Sequence, residues 1–271
     1  VNGCQTSHVL YKCRDRINTD MMIPIKIVNT ISPELVNNVI RSTNRQTQVL
    51  DEAFESLKEF HKQLQEYYET YSGEDRLYYE RRSHEFDEEK RLRRYNVITL
   101  PVQLQAFMSM FLEEPHSMHR YYGELLRANK NRLFQNGHQL IAYYTSAKTL
   151  QCVEKALNNG SIDMKWRYYR YHILLLIQTF LRKINGIKFV PAPTSKDMNR
   201  FCTSILKIVN DEKNLDIVLQ ASIHHIDKTL EEQKSKSRLS NGPERTKEFT
   251  MALLANVDQT ITKVEKWNKC I

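Results

Sequence analysis

The sequence predicts an α+β protein that is predominantly α-helical, with a small N-terminal α/β unit followed by a multi-helix bundle. Three observations carry this. Apolar residues recur at helical spacing through nearly all of the chain beyond Thr99. Only seven glycines and seven prolines punctuate 271 residues. Near the N-terminus, an apolar run at residues 23–28 reads as a strand between two helix signals. With 41% hydrophobic and 27% charged residues, the chain is long enough to bury the core of one large or two small domains. The expected division is 1–95, an α/β unit with a long helix and a charged Tyr/Arg hairpin or helix, and 96–271, a helical domain.

The first element is a tight corner. Asn2-Gly3 runs into the polar Gln5-Thr6 step and then an apolar segment, which reads as a turn feeding a helix N-terminus. Backbone N–H groups and the helix dipole converge at such a point and favour an anion there. The bland reading is an ordinary turn with a capped helix. After the strand, Ser32 is a suitable N-cap and Pro33 a suitable first helical residue. On that helix Leu35, Val36, Val39, Ile40 and Leu50 share one face, while Asn37, Arg41, Asn44 and Gln48 gather on the opposite one. A solvated face is normally built from Glu and Lys. Carboxamides are poorer helix formers but offer paired donors and acceptors suited to a ligand.

These residues resemble the hallmark of the abortive infection phage resistance family of bacterial proteins. That hallmark is an Asn-Gly-x-Gln-Thr turn, a short helix, a strand, and a helix carrying Asn-x-Gln. The matching positions are Asn2, Gly3, Gln5 and Thr6, then Asn44 and Gln46. The order is also similar to that of the Asp-Gly-Gln-His-Arg proteins and, more distantly, to the fold of chromosome-partition proteins and sulfiredoxin, where such a turn holds nucleotide phosphates. Thr6 and Ser7 stand where those relatives have His-Arg or Arg-Arg, so the charged phosphate contact is missing. The resemblance implies a role in defence against phage, with a nucleotide, a nucleic acid or a defence-system protein as partner. The ligand contacts it implies are Asn2, Gly3, Gln5, Thr6, Asn44 and Gln46, with Arg41 or Arg45 supplying charge. The chain opens at Val1 with no strand before the corner, so it is expected to be the C-terminal part of something longer.

Residues 51–71 carry Phe54, Leu57, Phe60, Leu64 and Tyr68 at helical spacing and predict a long amphipathic helix closed by Ser72-Gly73. Residues 76–95 mix tyrosines with Arg-Arg pairs. Tyr79, Glu80, Arg81 and Arg82 form a candidate patch, because Tyr beside Arg can stack on bases and contact phosphates. Five interleaved acidic residues favour instead a set of internal salt bridges. Beyond Thr99 helices are expected at residues 100–112, 118–133, 140–157, 166–184, 195–209, 215–232 and 244–267. Asn136-Gly137, Asn159-Gly160 and Asn185-Gly186 are suited to closing them. The run Trp166-Arg167-Tyr168-Tyr169-Arg170-Tyr171-His172 reads as an amphipathic helix or a base-stacking strip.

The net charge is +8 and uneven. Up to Asn96 there are 15 Lys and Arg against 16 Asp and Glu; the remainder holds 25 against 16. Such a bias favours polyanionic partners. Five cysteines with no close pair suit a reducing, cytoplasmic setting. Cys4, at a helix start, is the one whose thiol would be activated. The cluster Glu113, Glu114, His116 and His119 is interrupted by Pro115 and lacks the usual zinc spacing. His224 and His225 are adjacent on one helix, so only one can face inward. No complete catalytic set is present. A non-enzymatic interaction subunit and a nuclease or toxin subunit are therefore the rival readings. The longest apolar run, residues 173–177, is too short to span a bilayer.

Overall fold

The computed structural model describes residues 4–17, 21–22, 55, 58–82, 85–86, 92–235, 242–258 and 260–261, with the backbone alone at 4–6. The chain divides into two units, Val1–Phe54 and Glu55–Ile271. In the first, helix α1 spans Cys4–Lys12 and a 3-10 turn follows at Arg14–Arg16. The expected strand at 23–28 and the amide-faced helix after Ser32 lie outside the described residues.

The second unit opens with α2, Glu59–Glu69, which turns Phe60, His61, Leu64 and Tyr68 inward. Two short strands follow, β1 at Tyr78–Glu80 and β2 at Val97–Thr99. They pair in parallel, Tyr78 with Val97, Tyr79 with Ile98 and Glu80 with Thr99, so they are not the arms of a hairpin. Parallel strands require a crossover, here residues 81–96. The pleat sends Tyr79 and Ile98 into the core together.

β2 leads directly into α3, Leu100–Phe111, where the Thr99 hydroxyl accepts the Val102 N–H at 3.4 Å and Pro101 occupies the first turn. Then come α4 (Tyr122–Ala128), α5 (Leu140–Asn158), α6 (Arg170–Ile184), α7 (Lys196–Val209), α8 (Glu212–Ser235) and α9 (Lys247–Ala255). Helix α5 is the hub, packed by α3, α6 and α7. Every residue of α6 from Tyr171 to Leu181 is buried, the signature of a helix apolar all round. Aromatic stacking knits the first elements to α5. Tyr71 lies 3.7 Å from Tyr144 and Phe107 lies 4.1 Å from Tyr143, ring centre to ring centre.

Several helix limits differ from the sequence reading for local reasons. The expected helix over 118–133 is reduced to α4. Asn129 directs its amide back to the Leu125 carbonyl at 3.0 Å, the side-chain competition that ends helices. Gly137 then sits in a turn at φ +88 and does not cap α4. Residues 164–169 form a 3-10 segment ahead of α6. Gly186 closes α6 as expected: at φ +67 it bonds Lys183 O, while Ile187 N–H reaches Arg182 O at 2.9 Å. No helix among the described residues is long and apolar enough to cross a membrane.

Candidate functional site

One groove of about 520 Å³ gathers charged side chains from sequence-distant segments. Arg93, Arg94 and Tyr95 reach it from the chain entering β2, Gln151, Glu154 and Asn158 from the C-terminal half of α5, and Arg167, Arg170 and Tyr171 from the 3-10 segment and first turn of α6. Its floor is apolar, with Ile98, Leu150 and Tyr171 each less than a tenth exposed. Its rim carries four arginines and one glutamate.

Glu154 organises that rim. Oε2 lies 3.3 Å from Arg167 Nη2 and Oε1 lies 3.3 Å from Arg170 Nε. The Arg170 guanidinium also covers the Tyr171 ring at 4.6 Å, and the Tyr171 hydroxyl donates to Gln105 Oε1 at 2.7 Å. Arg170 is thus held on two sides, a preorganised donor fork. Gln151 is fixed by donating to Asn96 Oδ1 at 3.1 Å. Arg93 and Arg94 are exposed, and Arg93 bonds the Tyr95 hydroxyl. The surplus of positive charge over an apolar, half-enclosed floor suits an anion bearing a flat apolar body.

Asn2, Gly3, Arg41, Asn44, Arg45 and Gln46 lie outside the described residues. Gln5 and Thr6 fall in the first turn of α1, with their side chains likewise outside. The Cys4 thiol is in the same position.

The Tyr/Arg patch is described. The Tyr79 hydroxyl lies 2.7 Å from His61 Nδ1, and His61 Nε2 lies 3.4 Å from Glu55 Oε1, which Lys58 also approaches. A carboxylate only accepts, so Nε2 carries the proton and Tyr79 donates to Nδ1. Burial pushes the Glu55 carboxyl up, but His61 and Lys58 outweigh it and hold it below its ordinary value. Burial pushes His61 down against the pull of Glu55, so the imidazole is neutral. Arg81 donates to Gln65 Oε1 at 3.0 Å, and Glu85 Oε2 accepts the backbone N–H groups of Arg81 and Arg82. Glu80 is half-buried and Arg82 is exposed.

The remaining clusters are tied into the fold. Glu114 pairs with Arg132 at 2.7 Å, Glu113 with Arg182 at 3.6 Å, and His116 with the Thr250 hydroxyl at 3.2 Å. No group of three metal-ligating side chains occurs among the described residues. His225 is buried, bonding Thr260 Oγ1 and Leu253 O at 2.8 Å each, while His224 is exposed. Burial pushes the Cys152 thiol up to about 11 and the Cys202 thiol up to about 12, so neither is a nucleophile at neutral pH.

A family model described as AIPR protein matches residues 1–255. The chain belongs to the AIPR family. The role of this AIPR chain is in abortive infection phage resistance. No curated protein and no solved structure matches it.

Separate runs of arginine and tyrosine at 93–95 and 166–171 are visible in the sequence of this AIPR chain. Their meeting, and the place of Glu154 between them, is a product of the fold.

Proposed function

We propose that the chain acts in abortive infection by binding a phosphate-bearing ligand, nucleic acid above all, and that the groove between β2, α5 and α6 is a contact surface for it. The observation that carries this reading is the convergence of Arg93, Arg94, Arg167 and Arg170 on one groove that holds a single carboxylate among the described residues. Arginine forks match phosphate geometry, and apolar and tyrosine surface between them accepts bases. The basic balance of the chain beyond Asn96 has the same sign. In the Val1–Phe54 unit the proposed contacts are Asn2, Gly3, Gln5, Thr6, Asn44 and Gln46, with Arg41 or Arg45.

The test is fluorescence anisotropy of a labelled single-stranded 12-mer of uridine with the full chain, titrated across a salt series. Binding should weaken with salt, and Arg93→Ala/Arg94→Ala should flatten the log–log slope by about 1.4, at roughly 0.7 per single-strand phosphate contact. An unchanged slope in the double variant removes the groove from the contact surface. No binding by the intact chain removes the nucleic-acid reading.

A further inference from the structure

We infer that Glu154 reads the base of the bound nucleotide and that the groove selects guanine. This rests on the nucleotide reading of the same groove and adds to it the chemical identity of the preferred ligand.

Glu154 is out of place in a site that only neutralises phosphate. An ionised carboxylate offers acceptors and no donor, and it repels phosphate oxygens. Yet it lies within the groove, its side chain 17% exposed, between two of the four arginines. Each of its oxygens is engaged by one guanidinium, at 3.3 Å from Arg167 and from Arg170. A carboxylate has about four lone-pair sites, so each oxygen keeps acceptor capacity for a ligand. The arginines fix the carboxylate in place without exhausting it.

The result is a fixed acceptor pair flanked by fixed donors, above the apolar floor of Leu150 and Tyr171. Among the common bases, guanine presents the complement. Its N1–H and N2–H₂ are adjacent donors for the two carboxylate oxygens, and its O6 and N7 are acceptors for a guanidinium. Adenine brings one amino donor beside a ring acceptor that a carboxylate repels. Uracil brings one N–H between two carbonyl oxygens. Arg93 and Arg94, both exposed and lining the same groove, are the groups assigned to phosphate. The division of labour is base to Glu154 and phosphate to Arg93 and Arg94.

The experiment is isothermal titration calorimetry of the full chain with GTP, ATP, CTP and UTP separately, at fixed salt. GTP should bind about tenfold or more tightly than UTP, the scale of one good bidentate base contact. In E154Q, where one acceptor oxygen becomes an amide donor, the ratio should fall below about threefold while UTP affinity holds or rises. E154D, which keeps the carboxylate, should keep a preference for GTP. Equal affinities in the intact chain, or a preference for GTP that survives E154Q, overturn the assignment of Glu154 while leaving phosphate binding in place. Failure of all four nucleotides and of the uridine 12-mer to bind removes the underlying reading as well.

Discussion

Arg170 Nε stands 3.3 Å from Glu154 Oε1, and the same guanidinium lies over the Tyr171 ring at 4.6 Å. A lysine ammonium reproduces neither the planar fork nor the stacking. Arg170→Lys should therefore weaken binding of a fluorescently labelled GTP roughly tenfold, the scale of one charge-assisted hydrogen bond. Arg94→Lys keeps a point charge at an exposed position and should change it by less than about threefold. Anisotropy titrations of the two variants side by side distinguish the built contact from the general field.

Tyr79→Phe removes the hydroxyl that donates to His61 Nδ1 at 2.7 Å in a fully buried setting. The buried imidazole nitrogen then loses its donor. A loss of about 1–2 kcal/mol is expected, read from urea midpoints. Groove affinity should be unaltered, because Tyr79 does not line the groove.

His172 is 1% exposed, and neither ring nitrogen has a hydrogen-bond partner. Burial, reinforced by neighbouring His116, pushes its imidazole down to about 3. The unfolded chain takes up a proton near the ordinary histidine value of about 6.5 and the folded chain does not. Stability from this group is therefore complete above that value and drains away as pH falls through the interval below it, by at most about 1.4 kcal/mol per pH unit. His172→Phe, between Tyr169 and Phe249, should flatten the decline. Urea midpoints at pH 5 and 7.5 should differ less in the variant than in the parent.

Gly186 closes α6 at φ +67, with nothing within 4 Å of where a Cβ would stand. Gly186→Ala meets no clash, so its cost is the backbone preference alone. A destabilisation of about 1–2 kcal/mol is expected from thermal unfolding.

Helix positions are legible wherever local chemistry and periodicity agree. Ser195 caps α7 as a serine ahead of an apolar periodic run should, accepting the Met198 N–H at 3.2 Å. Leu140 begins α5 where the pattern begins. Residues 118–133 mislead because Asn129 prefers the Leu125 carbonyl to continuing the helix, a competition that apolar spacing does not register.

The groove is legible only in pieces. Arg93-Arg94-Tyr95 and Arg167 to Tyr171 stand out as basic aromatic runs, but Glu154 looks like any solvated helix residue. What unites them is the packing of the Arg94–Asn96 turn and of the 3-10 segment at residues 164–169 against α5. That is a long-range choice of partner, set by tertiary packing rather than by neighbours in sequence. The buried His61–Tyr79 link is hidden for the same reason.

Helix α5 serves two masters by geometry. Tyr143, Ala147, Leu150 and Val153 hold the interior, whereas Gln151, Glu154 and Asn158 recur at helical spacing along the groove. On the proposed reading of the groove, substitutions at Glu154 and Asn158 should alter recognition, whereas those at Gln151, buried and bonded to Asn96, should also disturb packing. A saturation mutagenesis of α5 should therefore return a stability-tolerance profile with the period of a helix, its groove-facing positions read separately by their effect on nucleotide binding.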